Sequence, residues 1–161
     1  MIFLDNFLER EDFLRINNTM LNPEFPWFYN PFVDDENEHS DNYQFTHTFY
    51  KAPNGNNSEH IHILNPLFEK LKASLLVRVK ANLNPRAVNP QLGTFHRDVK
   101  YDCHTAIYYV NSNNGYTEFE DGSIVESVEN RIVIFRSDKL HTGRNCNDEN
   151  ARVIINLNYF T

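Results

Sequence analysis

The sequence predicts a mainly β fold with supporting helices (α+β), its strands closing into a jelly roll or barrel. Three observations predict it. Aromatic residues make up 14% of the chain, with 13 Phe and 8 Tyr, a composition that favours strands. From about residue 75 to the end, apolar and polar residues alternate with period two in short runs, separated by turn clusters such as NSNNG and EDG. Before that point, apolar spacing is helical in two places. At 161 residues the chain is long enough to bury a core without staples. One domain over 1–161 is expected, with 1–74 giving helical and edge-strand support and 75–161 most of the strand core.

Taken in order, LDNFLEREDFLRINNTML sets Phe7, Leu8, Phe13, Leu14 and Leu21 at roughly helical intervals, with Asp5 placed as an N-cap. PEFPWFYNPF is rich in proline and aromatics, and VDDENEHSDN reads as a mobile acidic loop of the kind that borders binding sites. YQFTHTFYK alternates as a strand and KAPNGNN turns the chain. NPLFEKLKASLL repeats Leu67, Phe68, Leu71 and Leu75 at helical spacing, a second helix with one buried face. LLVRVKANL then sets Val77, Val79 and Ala81 against Arg78, Lys80 and Asn82, and CHTAIYYV, YTEFE, SIVESV, RIVIFR and RVIINLNYF are further strands.

The formal charge is −7, from 15 Lys plus Arg against 22 Asp plus Glu, which argues against an electrostatic grip on a nucleic-acid backbone. Two cysteines, Cys103 and Cys146, are too few for a disulfide framework and point to a reducing compartment. Apolar runs such as SLLV fall far short of the ~20 residues of a membrane span. MIFLDNFLERED lacks the basic region and cleavage site of a signal peptide. A soluble, cytoplasmic protein without a membrane partner is expected.

Of seven histidines, His39, His47 and His104 read as solvated or packed. EHIH would set His60 and His62 on one face if extended, but it runs directly into a helix. The stronger set contains TFHRD. His96 and Asp98, two apart, point to the same side of an extended chain, from the end of one strand, and His141 would come from a later strand. Two histidines and a carboxylate occupy one face of a six-coordinate Fe(II) and leave the other positions open. Arg152, eleven residues after His141, opens an otherwise apolar strand. A buried Arg there needs an anion, and a carboxylate co-substrate would make a bidentate partner. The competing reading puts Arg152 in solvent beside Asp148 and Glu149, with His141 capping a turn; spacing alone leaves both open.

The runs HRD, HTAIYYVNSNNGYTEFEDG, NRIVIFRSDKLHTGRN and RVIINLNYF, in that order, resemble the Fe(II)- and 2-oxoglutarate-dependent dioxygenases, and within them the prolyl 4-hydroxylase-like branch. The likeness covers roughly residues 75 to 160, with a looser match of the helical N-terminal part. It implies a double-stranded β-helix, with iron ligands at His96, Asp98 and His141 and Arg152 on the distal carboxylate of 2-oxoglutarate. It further implies that Tyr109 assists that carboxylate, that Asn82 touches the co-substrate, and that Asn156 and Asn158, on the face of Arg152, line the pocket. NGYTEF supplies the single glycine Gly115 where the family pattern has two. Arginine at 152 is like the oxygen-sensing and bacterial branch, whereas collagen-type enzymes often carry lysine.

The implied activity is hydroxylation of an unactivated C–H, on a prolyl or other amino-acid side chain, with Fe(II), 2-oxoglutarate and dioxygen and with ascorbate as a reductant. A peptide, protein or small molecule would be the substrate, lying against Pro31 to Asn42 and Arg86 to Gly93. Shared fold does not settle the substrate. A small-molecule or nucleobase oxygenase of the same fold, and a non-catalytic metal-binding jelly roll, are the alternatives.

Overall fold

The computed structural model describes residues 1–33 and 43–161. In chain order its elements are β1 (Ile2–Leu4), α1 (Arg10–Met20), β2 (Phe28–Asn30), β3 (Gln44–Lys51), β4 (Gly55–Asn56), a 3-10 helix (Glu59–Leu64), α2 (Asn65–Leu71), β5 (Leu75–Pro85), β6 (His104–Tyr109), β7 (Tyr116–Phe119), β8 (Ile124–Glu126), β9 (Arg131–Arg136), β10 (His141–Arg144) and β11 (Ala151–Phe160). The strands form the expected mainly β architecture of two antiparallel sheets. The larger runs β1-β9-β6-β11-β5-β3-β2, with β4 on β3, and the smaller runs β10-β7-β8.

Alternation in the two longest strands sorts their residues between the faces of the larger sheet. Val79 and Ala81 of β5 and Val153, Ile155, Leu157 and Tyr159 of β11 join one core cluster with Phe13, Ile16 and Met20 of α1 and Leu67 and Leu71 of α2. The helices therefore cover this face. On the opposite face, Ile107, Tyr109, Val133, Phe135 and Ile154 meet Phe119 and Val125 of the smaller sheet in a second cluster. The register pairs Arg152 with Asn84, Ile154 with Asn82, Asn156 with Lys80 and Asn158 with Arg78. These pairs make a mostly polar ladder facing into the space between the sheets.

The N-terminal part departs from the sequence-based expectation. Ile2–Leu4 is a strand on the free edge of β9, because three consecutive apolar residues show no period and a tertiary partner decides their conformation. The helix starts at Arg10, with Glu9 at its N-cap and no side-chain cap. Asp5 instead accepts from Arg131, with Nη2 to Oδ2 at 3.0 Å. Phe7 and Leu8 are buried ahead of the helix. Asn130 holds this segment: its Oδ1 accepts from Leu8 N at 2.9 Å and from the Tyr108 hydroxyl at 2.8 Å, and its Nδ2 donates to Leu8 O at 2.9 Å. The proline- and aromatic-rich run contains the edge strand β2. The second helix stops at Leu71, where Lys72 takes φ 53°, and Leu75 begins β5 instead of completing a helical face. Of the stretch from Pro31 to Asn42 expected to lie against the substrate, residues 34–42 lie outside the described residues.

Candidate metal centre

His96 does not end a strand, as its spacing suggested. It lies in the irregular stretch between β5 and β6, tied to the edge of β10 by a single bridge with His141. The two residues exchange both backbone hydrogen bonds, His96 N to His141 O at 3.0 Å and His141 N to His96 O at 3.1 Å. Directly opposed residues of an antiparallel pair present side chains on one face, and the imidazole centroids lie 5.0 Å apart. Asp98, two residues beyond His96, brings its carboxylate to the same point. One potential ligand atom from each of His96, Asp98 and His141 lies within 4.8 Å of the others.

Each histidine directs Nδ1 at a backbone carbonyl, Thr94 O at 2.9 Å for His96 and Lys139 O at 3.3 Å for His141. Donation from Nδ1–H leaves Nε2 as the basic nitrogen of each ring. Burial lowers the His141 pKa below the ordinary histidine value, partly opposed by the Asp98 carboxylate. Burial alone would raise the Asp98 pKa, but Arg78 and the two imidazoles outweigh it and hold the carboxyl below its usual value. Arg78 Nη2 sits 2.7 Å from Asp98 Oδ1, whereas Asp98 Oδ2 is buried without a hydrogen-bond partner, 3.9 Å from His141 Nε2. Arg78 is itself placed by Asn158, whose Oδ1 accepts from Arg78 Nε at 3.2 Å while its Nδ2 donates to Thr105 Oγ1 at 3.0 Å. Asn158 thus supports the carboxylate from behind.

Arg152 is 2% exposed, so the solvent reading of this residue fails. Asp148 instead accepts from Asn114 N. The guanidinium donates from Nε to Ser127 Oγ and from Nη2 to Thr117 Oγ1, both at 2.9 Å, and no ion pair joins it to a carboxylate among the described residues. Burial lowers its pKa, though arginine remains a cation. The Tyr109 hydroxyl donates to the same Thr117 Oγ1 at 2.9 Å, and the guanidinium carbon stands 5.7 Å from the Tyr109 ring centroid. Tyr109 lies beneath Arg152 and is not among the residues lining the cavity. Gly115 is required here by close approach: an added Cβ would fall 2.7 Å from Arg152 Cδ and 2.7 Å from Arg144 O.

A cavity of about 520 Å³ runs between the triad and Arg152, and Asn82, Asn84, Asn156 and Thr117 line it. Four buried side-chain atoms lack any partner among the described residues: Asn82 Oδ1, Asp98 Oδ2, Thr142 Oγ1 and Asn156 Oδ1. All four belong to residues lining this one cavity. Buried polar atoms are otherwise almost always bonded, so this concentration marks a place prepared for an occupant. Arg78, Lys80, Asn84, Thr117 and Ser127 join the site without any motif that singles them out. The first three were visible as the polar half of the β5 alternation, whereas Thr117 and Ser127 reach Arg152 only through tertiary pairing. His60 and His62 lie in the 3-10 helix, with His62 Nδ1 on Glu59 O at 2.7 Å, outside any cluster of metal-ligating side chains among the described residues.

No family model and no curated protein sequence matches the chain. Solved structures do. A viral collagen prolyl hydroxylase from Paramecium Bursaria Chlorella virus-1, in its 2OG complex, aligns with a TM-score of 0.65 at 13% identity over 98% of this chain and 93% of that one. A Trichoplax adhaerens prolyl hydroxylase, bound to a peptide fragment of the hypoxia inducible factor oxygen degradation domain, gives 0.68 at 14% identity over 99% and 82%. A 2OG-Fe(II) oxygenase family oxidoreductase from Burkholderia pseudomallei gives 0.67 at 14% identity over 99% and 83%. At such identities the likeness is one of fold. The chain has the double-stranded β-helix fold that these prolyl hydroxylase and 2OG-Fe(II) oxygenase structures share.

Proposed function

We propose that this protein is an Fe(II)- and 2-oxoglutarate-dependent dioxygenase that hydroxylates an unactivated C–H, on a prolyl or other amino-acid side chain of a peptide or protein. The observation that carries the proposal is that all four orphaned buried polar atoms border one cavity, which has the His96, Asp98 and His141 triad at one end and the unpaired Arg152 at the other.

The residues fit the groups. Two imidazoles with Nδ1 committed to carbonyls and a carboxylate oxygen without a partner make a two-histidine, one-carboxylate donor set suited to Fe(II). Bound iron and 2-oxoglutarate would supply the oxidising power, drawn from dioxygen, that puts one oxygen atom into the C–H bond. The chain's own work is to bind and orient. Arg152, held in direction by Thr117 and Ser127, would take the distal carboxylate of 2-oxoglutarate through a charge-assisted contact. Tyr109 serves the same contact through Thr117. Asn82 and Asn156 line the path between the carboxylate site and the metal, and Asn158 fixes Arg78 and through it Asp98. The location proposed is the cytoplasm; in the described residues no helix is long and apolar enough to cross a membrane.

Anaerobic addition of Fe(II) and 2-oxoglutarate is expected to produce a visible charge-transfer band that His141→Ala abolishes. Absence of the band in the wild type, or its survival in the variant, would overturn the assignment. Turnover of 2-oxoglutarate to succinate over candidate peptides, with ascorbate as reductant and mass spectrometry for a gain of one oxygen atom, then tests the reaction.

A further inference from the structure

The chain carries a net charge of −7, yet the wall of its cavity is cationic. Among the described residues, Arg78, Lys80, Arg97 and Arg152 line it, and Asp98 is the one carboxylate that does. Asp98 is paired with Arg78, and Arg152 serves the distal carboxylate of 2-oxoglutarate in the function proposed above. Lys80 and Arg97 are left over. Among the described residues neither makes an ion pair or a side-chain hydrogen bond. Lys80 is half-buried in β5, opposite Asn156 of β11, and Arg97 is exposed. Burial, with Arg78 beside it, lowers the Lys80 pKa below the ordinary lysine value, so an ammonium here is under-solvated until an anion joins it.

The neighbouring acceptors narrow the chemistry. Asn82 Oδ1 and Asn156 Oδ1 are buried without donors, and Asn156 is only 7% exposed. The 2-oxoglutarate dianion carries acceptor oxygens and no N–H or O–H, so it cannot satisfy either of them. A cavity of about 520 Å³ has room for more than that small diacid. The second occupant should therefore bring both an anion and hydrogen-bond donors.

We propose that the molecule oxidised in this cavity is acidic: an amino-acid unit, free or within a peptide, whose carboxylate or phosphate is received by Lys80 while its N–H groups meet Asn82 and Asn156. Arg97, outside, draws the anion toward the opening. This substrate class rests on the oxygenase reading above, and it runs against what the acidic surface would recommend, a basic partner.

The test titrates the anaerobic wild-type protein, loaded with Fe(II) and 2-oxoglutarate, with capped tripeptides containing Glu, Asp or phosphoserine and with their Gln, Asn and Ser counterparts. Perturbation of the visible band reports binding. At least one acidic peptide is expected to act at roughly tenfold lower concentration than its neutral counterpart, the size of one charge-assisted contact. Lys80→Met should remove that preference, Lys80→Arg should keep it, and Arg97→Gln should weaken it in a salt-dependent way. All three variants should bind 2-oxoglutarate as the wild type does, which also shows that they fold. Equal action of acidic and neutral peptides, action by neither, or a preference that survives Lys80→Met overturns the proposal. Loss of 2-oxoglutarate affinity in Lys80→Met overturns it too, because Lys80 would then serve the near carboxylate of the co-substrate. No band in the wild type defeats the oxygenase reading and this inference together, whereas a band without acid preference defeats this inference alone.

Discussion

The two faces of β5 and β11 are built from alternate residues of the same strands and solve opposite problems. Toward the helices, Val79, Ala81, Val153, Ile155 and Leu157 are each 0% exposed and belong to one apolar cluster. Toward the smaller sheet, Arg78, Lys80, Asn82, Arg152 and Asn156 face a cavity, and two of them bear orphaned acceptors. A slip of one residue would exchange the faces. The apolar face therefore holds the register that the polar face requires, and stability resides on the side where no chemistry is proposed. Burying polar groups without partners costs free energy, and the adjoining close-packed face is what offsets it.

Substitutions on the two faces should separate chemistry from stability. The largest effect is expected at the triad: Asp98→Asn should reduce Fe(II) affinity below detection in an anaerobic titration, with the far-ultraviolet circular dichroism unchanged. On the opposite face, Leu157→Ala should cost about 2 to 5 kcal/mol in urea unfolding, the usual range for a fully buried leucine, while the metal-dependent band persists in the folded fraction. If both properties fell together in proportion, the two faces would not be separable. Arg152→Met should weaken 2-oxoglutarate binding roughly 10- to 100-fold, for a lost charge-assisted contact of about 1.5 to 3 kcal/mol. It should also raise the melting temperature of the ligand-free protein, because an unpaired buried cation is replaced by an apolar chain. Calorimetry of the two properties in opposite directions is the check.

The smallest effect concerns pH on the helix-side face. His47 Nδ1 lies 2.8 Å from Pro26 O and its Nε2 2.7 Å from Ser58 Oγ, with Phe25 and Phe49 against the ring. Burial lowers its pKa below the ordinary value of 6.5. The unfolded chain therefore binds a proton at a pH where the fold still holds the ring neutral. That contribution to stability is fully present above about pH 6.5 and is lost as pH falls toward the lower folded value. His47→Asn should flatten the dependence of the melting temperature on pH between about 5 and 7; an unchanged slope would assign the acid sensitivity to other groups.

Much of this was legible in the sequence because it rests on local period. The alternation Val77, Arg78, Val79, Lys80, Ala81, Asn82 gives β5 and both its faces. His96 and Asp98 share a side by the same rule, and Arg152 announced its need for a partner by standing in an apolar strand. The illegible parts depend on tertiary partners. Ile2–Leu4 is a strand only because the edge of β9 is there to receive it. His96 meets His141 through one bridge in an otherwise irregular stretch, which no periodicity foretells. Leu75 fits both the helical spacing before it and the alternating run after it, and the left-handed Lys72 decides between them. The support given to Arg152 by Thr117 and Ser127 spans 35 and 25 residues of sequence.

The contact of Arg78 with Asp98 bears on how metal is loaded. The fixed cation holds the Asp98 carboxyl below its usual pKa and compensates the burial of one of its two oxygens. With one oxygen committed to Arg78, the carboxylate offers the other as a single donor, already oriented. An ion arriving here would meet a carboxylate already balanced by Arg78 and already oriented.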